Sequence, residues 1–164
     1  INEEINLIKV ETADEMFKAT QENLPVDVAV FSAAVADFKI NKKDPHKIKK
    51  DDGFNLNLEK NIDILNFVSN HNSMRPKLVI GFAAETNNID NNAILKLEKK
   101  NCDWIIVNDV SKKNSGFESD YNEVTIHYKD IKYKKEKLSL RKKSDISEEI
   151  VNKIINQIYW WLKY

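Results

Sequence analysis

Three nearly continuous apolar segments constrain the fold of this chain more than any other feature. They lie at residues 27–36 (DVAVFSAAVA), 77–85 (KLVIGFAAE) and 102–109 (CDWIIVND). Strands that helices cover on both faces have uninterrupted apolar runs of this kind. Helix-type patterns separate the segments, at 61–71 and 87–101. The alternation predicts an α/β domain with a mostly parallel sheet flanked by helices.

Weaker patterns complete the architecture as a single domain over residues 1–164. The additional predicted elements are a strand at 6–10 (NLIKV), a capped helix at 13–24, a strand at 54–60 (FNLNLEK), a polar β-hairpin extension at 122–140 and a closing helix at 144–163. The closing helix is predicted to have one apolar face, formed by Val151, Ile154, Ile155, Ile158, Trp161 and Leu162. The expected fold is therefore Rossmann-like, with a hairpin added to the sheet.

Composition excludes several classes of protein. Lys and Arg number 26, as do Asp and Glu, and this zero net charge argues against a general nucleic-acid binder. The basic segment 132–143 leaves open an interaction module for nucleic acid or acidic protein, against the alternative of a solvated hairpin. The single cysteine, Cys102, fits a reducing cytoplasm. No apolar run reaches the ~18 residues of a membrane-spanning helix, so no membrane contact is expected.

The end of the first apolar segment suggests a ligand site. In open α/β sheets, ligands bind beyond the carboxyl ends of the strands. Ser32, Ala33 and the small residues after them leave space beside the backbone, and Asp37 offers an acceptor at the strand tip. The loop that follows contains Lys47 and two further lysines that suit a phosphate. The alternative is a solvated loop, because acidic residues alternate with these lysines.

A second strand end and the helix after it add candidate groups. Gly81 weakens a central strand unless something approaches its backbone closely, and Phe82 is an aromatic that stacks on a flat ring or packs in the core. On a helical wheel, Lys96 and Lys100 share an arc with apolar residues of the same helix. Two lysines on this arc indicate either that an anion binds between them or that their aliphatic stems pack on the apolar surface while their ammonium groups reach water.

Motifs that are missing limit the reading from pattern alone. The sequence has neither a P-loop G-x-x-x-x-G-K-[ST] nor a dinucleotide-binding G-x-G-x-x-G. One cysteine and three histidines without ligand spacing do not predict a metal site. The residues by themselves predict an α/β domain with a cationic end that binds an anion.

Five segments in the same order carry a resemblance to a known family. They read SAAVADFKI, HKIKK, GFAAETNN, CDWIIVNDVS and GFESDYNEVTI. Together, from about Val10 to the last helix, they resemble the bacterial phosphopantothenate–cysteine ligases of coenzyme A biosynthesis. The resemblance implies a ligase that uses CTP with Mg²⁺ to join 4′-phosphopantothenate to L-cysteine through an acyl-cytidylate. It also implies a homodimer, fused to or assembled with a flavin-dependent decarboxylase.

The resemblance implies roles for individual residues. Lys47 is expected to contact phosphate as the catalytic lysine, and Asp37 to meet the base or sugar. The nucleotide-binding residues implied are Phe31, Ser32, Ala33, Asp37, Lys47, Asn61, Ile62, Asp63, Ile64, Phe82, Lys96 and Lys100. Ile62 stands where the family usually has proline, so the turn is expected to be less rigid. Asn108 and Asp109 are expected to shape the site from the neighbouring strand end.

One departure from the family concerns the start of the chain. The family begins with a glycine-rich strand–loop–helix and an Asn- and Ser-rich segment that binds phosphopantothenate, and the first residues here, INEEINLIKV, contain neither. They also lack a signal peptide, and the chain starts with Ile. We therefore expect a ligase domain without its N-terminal segment, inactive alone. The alternative function is an NAD(P)-binding Rossmann-type domain of an oxidoreductase.

Overall fold

The computed structural model of the protein describes residues 5–41, 55–111, 119–129 and 134–163. The elements, in chain order, are α1 (Ala13–Glu22), β1 (Val28–Phe31), β2 (Phe38–Ile40), β3 (Leu58–Lys60), α2 (Ile64–Ser69), β4 (Leu78–Glu85), α3 (Ile89–Lys100), β5 (Trp104–Asp109), β6 (Tyr121–Tyr128), β7 (Lys135–Lys142) and α4 (Lys143–Lys163). Thr12 caps α1 through the predicted capping box with Glu15. Among the described residues, no helix combines the length and apolar character needed to cross a membrane.

The sheet joins the three apolar strands to the hairpin. Within the described residues its order is β1-β4-β5-β6-β7, which puts β1 and β7 at the edges. The β1–β4 and β4–β5 pairs are parallel, whereas the β5–β6 and β6–β7 pairs are antiparallel. The predicted α/β fold is therefore confirmed, and the hairpin makes the complete sheet mixed. Strands β2 and β3 form a separate antiparallel ribbon.

Apolar side chains pack on both faces of the sheet, as the continuous runs predicted. Alternate residues of β5 show this, because Ile106 packs on the α4 face and Ile105 on the α3 face. Leu97 of α3 is fully buried against the second face. Ile146 and Ile150 of α4 pack against the first face.

Three strand predictions need correction. The first apolar segment is a strand only over Val28–Phe31, because residues 32–37 leave the sheet. Residues 6–10 form no strand, and the 54–60 prediction reduces, within the described residues, to Leu58–Lys60. Phe38–Ile40 is a strand that was not predicted, and in the part of the chain that the structure describes its pairing partner is β3. Strands this short form only where another strand pairs with them. Their alternation of apolar and polar residues covers too few positions to be recognised in the sequence.

The hairpin and the last helix also differ from expectation. The hairpin is not merely a polar extension, because Val124, Ile126 and Leu138 belong to the buried core. In α4, the predicted single face splits into two. Ile154 and Trp161 pack against the core, but Val151, Ile155 and Leu162 are exposed. At 100° per residue the exposed stripe lies about 100° around the helix from the buried one, so it lies to the side of the contact with the sheet.

His127 is the most buried ionisable side chain of the hairpin, with 1 % of its surface exposed. Neither ring nitrogen has a hydrogen-bond partner among the described residues, and Nε2 lies 3.4 Å from Oδ1 of Asp90. Burial lowers the pKa of His127; Asp90 opposes this and Lys135 adds to it. His127 is therefore held neutral in the folded protein.

We expect the free energy of unfolding to fall as the pH drops below about 6.5. In that range the imidazole of His127 binds a proton in the unfolded chain but stays neutral in the folded protein, because its pKa is lowered there. In His127→Leu the loss between pH 7.5 and 5.5 should be smaller by about 1 kcal/mol. Urea unfolding at both pH values measures this difference. An equal loss in both proteins would show that the stability does not depend on this imidazole.

Candidate functional site

A cavity of about 850 Å³ lies at the carboxyl edge of the parallel strands. It extends from the end of β1 and the backbone after it, across the start of α2 and the end of β4, to the second half of α3. Its size is typical of a site for a small molecule. Parallel strands end at the same edge of a sheet, so residues distant in the sequence meet there.

The cavity brings together the residues that the resemblance had grouped. Its lining includes Phe31, Ser32, Ala33, Asp37, Asn61, Ile62, Asp63, Ile64, Phe82, Lys96 and Lys100. Lys47 lies outside the described residues, as do the two lysines that follow it. The structure thus places the predicted residues in one cavity, while their role in binding a nucleotide stays a prediction.

Asn61 fixes the wall of the cavity next to β1. Its backbone N–H donates to the Asp37 carbonyl at 2.9 Å, and its side-chain Nδ2 donates to the Ala36 carbonyl at 2.8 Å. Its Oδ1 is buried and accepts no hydrogen bond from the described residues. Buried acceptors in proteins are usually satisfied, so this oxygen suits a ligand that donates a hydrogen bond.

The turn after Asn61 leads directly into α2, and the effect of Ile62 on its rigidity stays a prediction. Asp63 caps α2, because its Oδ1 accepts a hydrogen bond from the Asn66 N–H at 3.0 Å. Ile64 is buried at the start of the helix, whereas Ile62 is half-exposed and lines the cavity. The cap and the buried isoleucine anchor the end of this turn to α2.

Lys96 and Lys100 of α3 both have protein partners. Lys96 Nζ lies 2.6 Å from Glu85 Oε1, at the end of β4, and Lys100 pairs with Asp63. The sequence pattern had indicated an anion beside these lysines. In the structure, two carboxylates of the same chain, those of Glu85 and Asp63, form the ion pairs. Both lysines nevertheless line the cavity, and 42 % of the Lys96 side chain is exposed.

The lack of a side chain at Gly81 makes room for neighbouring residues of the protein rather than for a ligand. A Cβ there would lie 2.7 Å from Leu65 Cδ2 and 2.9 Å from Ile105 Cδ1. The close approach that the sequence suggested is thus made by α2 and β5. Phe82, by contrast, lines the cavity and is 37 % exposed, so its ring is available as a stacking surface.

The end of β5 divides between two cavities. Asn108 lines the first, with a buried Oδ1 that lacks a hydrogen-bond partner among the described residues. Asp109, expected beside it, lines instead a second cavity of about 740 Å³ next to the start of α3. Successive residues of a strand point to opposite faces, which explains the separation.

Several lining residues were missed by the sequence patterns. They are Met16 and Thr20 of α1, Lys99 of α3, Asn122 of β6 and Lys143 at the start of α4. Asn122 and Lys143 escaped notice because the hairpin was expected to extend away from the site. A buried β6 would have placed both near the carboxyl edge, so the apolar alternation of Val124 and Ile126 was the available signal.

The described residues contain no group of three or more His, Cys, Asp and Glu side chains that could hold a metal ion. Cys102 is buried, and burial raises the pKa of its thiol to about 11. A thiol with so high a pKa is a weak nucleophile at neutral pH. The polar side chains that line the described part of the cavity carry ammonium, amide, hydroxyl and carboxylate groups.

Comparison with known proteins identifies the family. The family model described as the DNA/pantothenate metabolism flavoprotein C-terminal domain matches residues 1–158. The chain belongs to this family. The resemblance to phosphopantothenate–cysteine ligases is thereby confirmed at the level of the family. Membership in the DNA/pantothenate metabolism flavoprotein C-terminal domain family gives no support to the oxidoreductase alternative.

Individual relatives agree with the family match. The coenzyme A biosynthesis bifunctional protein CoaBC of Haemophilus influenzae is 38% identical over 155 residues, which are 93% of this chain and 38% of that protein. CoaBC of Bacillus subtilis is 40% identical over 129 residues, covering 78% of this chain and 31% of the relative. The chain thus spans about a third of the length of these relatives.

A solved structure shares the fold of this DNA/pantothenate metabolism flavoprotein C-terminal domain. It is the crystal structure of the C-terminal domain of the coenzyme A biosynthesis bifunctional protein CoaBC, with a TM-score of 0.70 and 30% identity. The match covers 93% of this chain and 65% of that one.

Proposed function

We propose that this domain acts as a phosphopantothenate–cysteine ligase in coenzyme A biosynthesis, using CTP. One observation carries the proposal: a single cavity collects every described residue that the resemblance assigns to the nucleotide. The relatives named as coenzyme A biosynthesis proteins support the same pathway. Ammonium groups of Lys96 and Lys100 on one wall suit phosphates, and the exposed ring of Phe82 suits a base.

The proposed reaction has two halves. The carboxylate of 4′-phosphopantothenate attacks the α-phosphate of CTP, which forms an acyl-cytidylate and releases pyrophosphate. The amino group of L-cysteine then attacks the acyl carbon, and CMP leaves. Negative charge moves onto the leaving phosphates in the first half, and fixed cations stabilise it there. We assign this task to Lys96, Lys100 and Lys47.

Magnesium fits this site as a companion of the triphosphate. Asp37 lines the cavity and offers a carboxylate, while Asp63 and Glu85 are paired with lysines. Mg²⁺ in nucleotide sites is commonly held by one or two carboxylates together with phosphate oxygens. When bound, the ion would neutralise phosphate charge.

The partners in this proposal are 4′-phosphopantothenate, L-cysteine and CTP, in the cytoplasm. A homodimer and a flavin-dependent decarboxylase, fused or associated, belong to the same proposal. The basic segment of the hairpin gives no support to nucleic-acid binding. In its described part, Lys135, Lys137 and Arg141 pair with Asp90, Glu123 and Glu149 respectively.

Titration calorimetry with CTP and with ATP, in Mg²⁺, tests the nucleotide assignment. We expect CTP to bind at least about tenfold more tightly than ATP, and Lys47→Ala to weaken CTP binding by about tenfold or more, since it removes a charged hydrogen-bond donor. Lys18→Ala, which removes an exposed lysine of α1, is the matched control and should bind as the wild type does.

Three results would count against this function. They are the absence of CTP binding, equal binding of CTP and ATP, and an equal loss of affinity in the Lys47 and Lys18 variants. The oxidoreductase alternative predicts a change in NADH fluorescence on mixing with the protein. We expect none.

A further inference from the structure

Glu85 occupies an unusual position behind the wall of the cavity. Its side chain is only 12% exposed, although it ends β4 at the open edge of the strands. Oε1 lies 2.6 Å from Lys96 Nζ, and Oε2 accepts a hydrogen bond from Asn92 Nδ2 at 3.0 Å. Lys96 lines the cavity, whereas Glu85 is not among the lining residues. Glu85 therefore faces the cavity only through Lys96.

Asn92 holds the carboxylate in a fixed orientation. Besides Glu85, its Nδ2 donates to the Asn87 carbonyl at 3.0 Å, so one amide joins the end of β4 to the connection before α3. Asn92 lies one turn before Lys96 on the same helix, and residues at this spacing share a face. Carboxylate, amide and ammonium thus form one short chain of contacts.

Burial decides how this chain of contacts responds to an anion in the cavity. Oε1 of Glu85 is buried and, within the described residues, receives no hydrogen bond; the Lys96 ammonium is the group that compensates it. If the Lys96 side chain left Glu85 to bind a ligand, the buried carboxylate oxygen of Glu85 would lose its counter-charge. Leaving a buried charge without compensation costs free energy. An ammonium has three N–H donors, so it can keep Glu85 and still bind an anion.

We propose that Glu85 is a positioning residue that holds the Lys96 ammonium at the wall of the cavity for a phosphate group. This inference rests on the proposed function, because the phosphate is taken to be that of the nucleotide. Lys100 has a similar partner in Asp63, but that carboxylate also caps α2. A substitution of Asp63 would disturb the helix as well, so Glu85 gives the cleaner test.

The opposite role for Glu85 is a competitor that occupies Lys96 until an anion displaces it. The two roles predict opposite signs. A positioning carboxylate strengthens anion binding, and its removal weakens it. A competing carboxylate weakens anion binding, and its removal strengthens it. The burial of Oε1 favours positioning, because displacement would leave that oxygen without compensation.

Glu85→Gln tests the sign with little change of shape. The glutamine oxygen still accepts the hydrogen bond from Asn92, but the charge that holds Lys96 is lost. We expect the Kd for CTP in Mg²⁺ to rise about tenfold. Glu149→Gln is the matched control, since Glu149 pairs with Arg141 and Lys153 away from the cavity, and its Kd should equal that of the wild type. Thermal melting of both variants verifies that they fold.

A double-mutant cycle separates positioning from a general structural effect. In a Lys96→Met background, Glu85→Gln should change the Kd by less than about twofold, because the group it acts through is gone. An equal loss in both backgrounds, no loss from Glu85→Gln in the protein that retains Lys96, or tighter binding in Glu85→Gln would each overturn the proposal.

A second readout needs no nucleotide. Acetic anhydride labels a lysine faster when its amine is accessible and not held in an ion pair. Peptide mass spectrometry gives the labelling rate at Lys96 relative to that at exposed Lys18. We expect Glu85→Gln to raise this relative rate about threefold, and an unchanged rate would overturn the positioning role. Absence of CTP binding by the wild type would instead refute the proposed function, so the two failures are distinguishable.

Discussion

Ile126→Ala is expected to lower the free energy of unfolding by about 4 kcal/mol. Ile126 lies in β6 with none of its surface exposed, and it packs in the cluster that includes Ile106 of β5 and Ile146 of α4. Truncation to alanine removes buried methyl groups and leaves a cavity between the sheet and the helix. Equilibrium unfolding in urea, followed by circular dichroism, gives the difference.

Leu140→Ala is the matched control for Ile126→Ala. Leu140 lies on the neighbouring strand β7 but is 49% exposed, so its truncation should cost less than about 1 kcal/mol. Equal effects of the two substitutions would mean that the hairpin lies outside the core, as its polar sequence first indicated. A large difference would establish β6 as part of the central packing.

Asp103→Ala is expected to destabilise the fold by about 3 kcal/mol. Asp103 Oδ1 accepts a hydrogen bond from Arg75 at 2.9 Å, and Oδ2 accepts one from the buried Val79 N–H at 2.7 Å. The same guanidinium donates to the carbonyls of Ser69 and Asn101. Removing the carboxylate leaves a buried N–H without its partner and a cation without its counter-charge. Urea unfolding measures the loss.

Asp27→Ala provides the comparison for Asp103→Ala, because it also breaks an aspartate ion pair. Asp27 pairs with Lys77 at 3.0 Å, but the two side chains are 75% and 68% exposed. Solvent-exposed pairs contribute little, so a change within about 0.5 kcal/mol is expected. If Asp103→Ala were equally mild, the network around Arg75 would have no special role in holding α2, β4 and β5 together.

The long apolar strands were predictable from sequence, because both of their faces are buried and their patterns need no partner to be read. The same holds for α3, whose buried Ala93 and Leu97 lie one turn apart. The ribbon of β2 and β3 was predicted only in part, since the 54–60 pattern included β3 and nothing indicated β2. Strands of three residues carry too few side chains for a period to appear, and only their pairing defines them.

The candidate site was predicted in outline because motif order identifies residues that the chain later brings together. Partners within the site were harder to foresee. Nothing in the sequence says that Lys96 meets Glu85 while Lys100 meets Asp63, since each pair depends on how α3 packs against the sheet. Lys143 was missed because the hairpin that precedes it was expected to extend away from the site, whereas the Lys143 N–H donates to the Asp120 carbonyl next to β6.

The two edges of the sheet have different consequences for how this protein behaves in concentrated solution. β7 reads KEKLSLRK and exposes charged side chains along its length, which discourages edge-to-edge association. β1 reads VAVF without a charge, has β4 as its strand neighbour within the described residues, and leaves Val30 46% exposed. Unpaired backbone groups along an uncharged edge are a template for aggregation. Of the two edges of the described sheet, β1 is therefore the one at which pairing with a further strand is expected, and that edge adjoins the cavity, since Val30 also lines it.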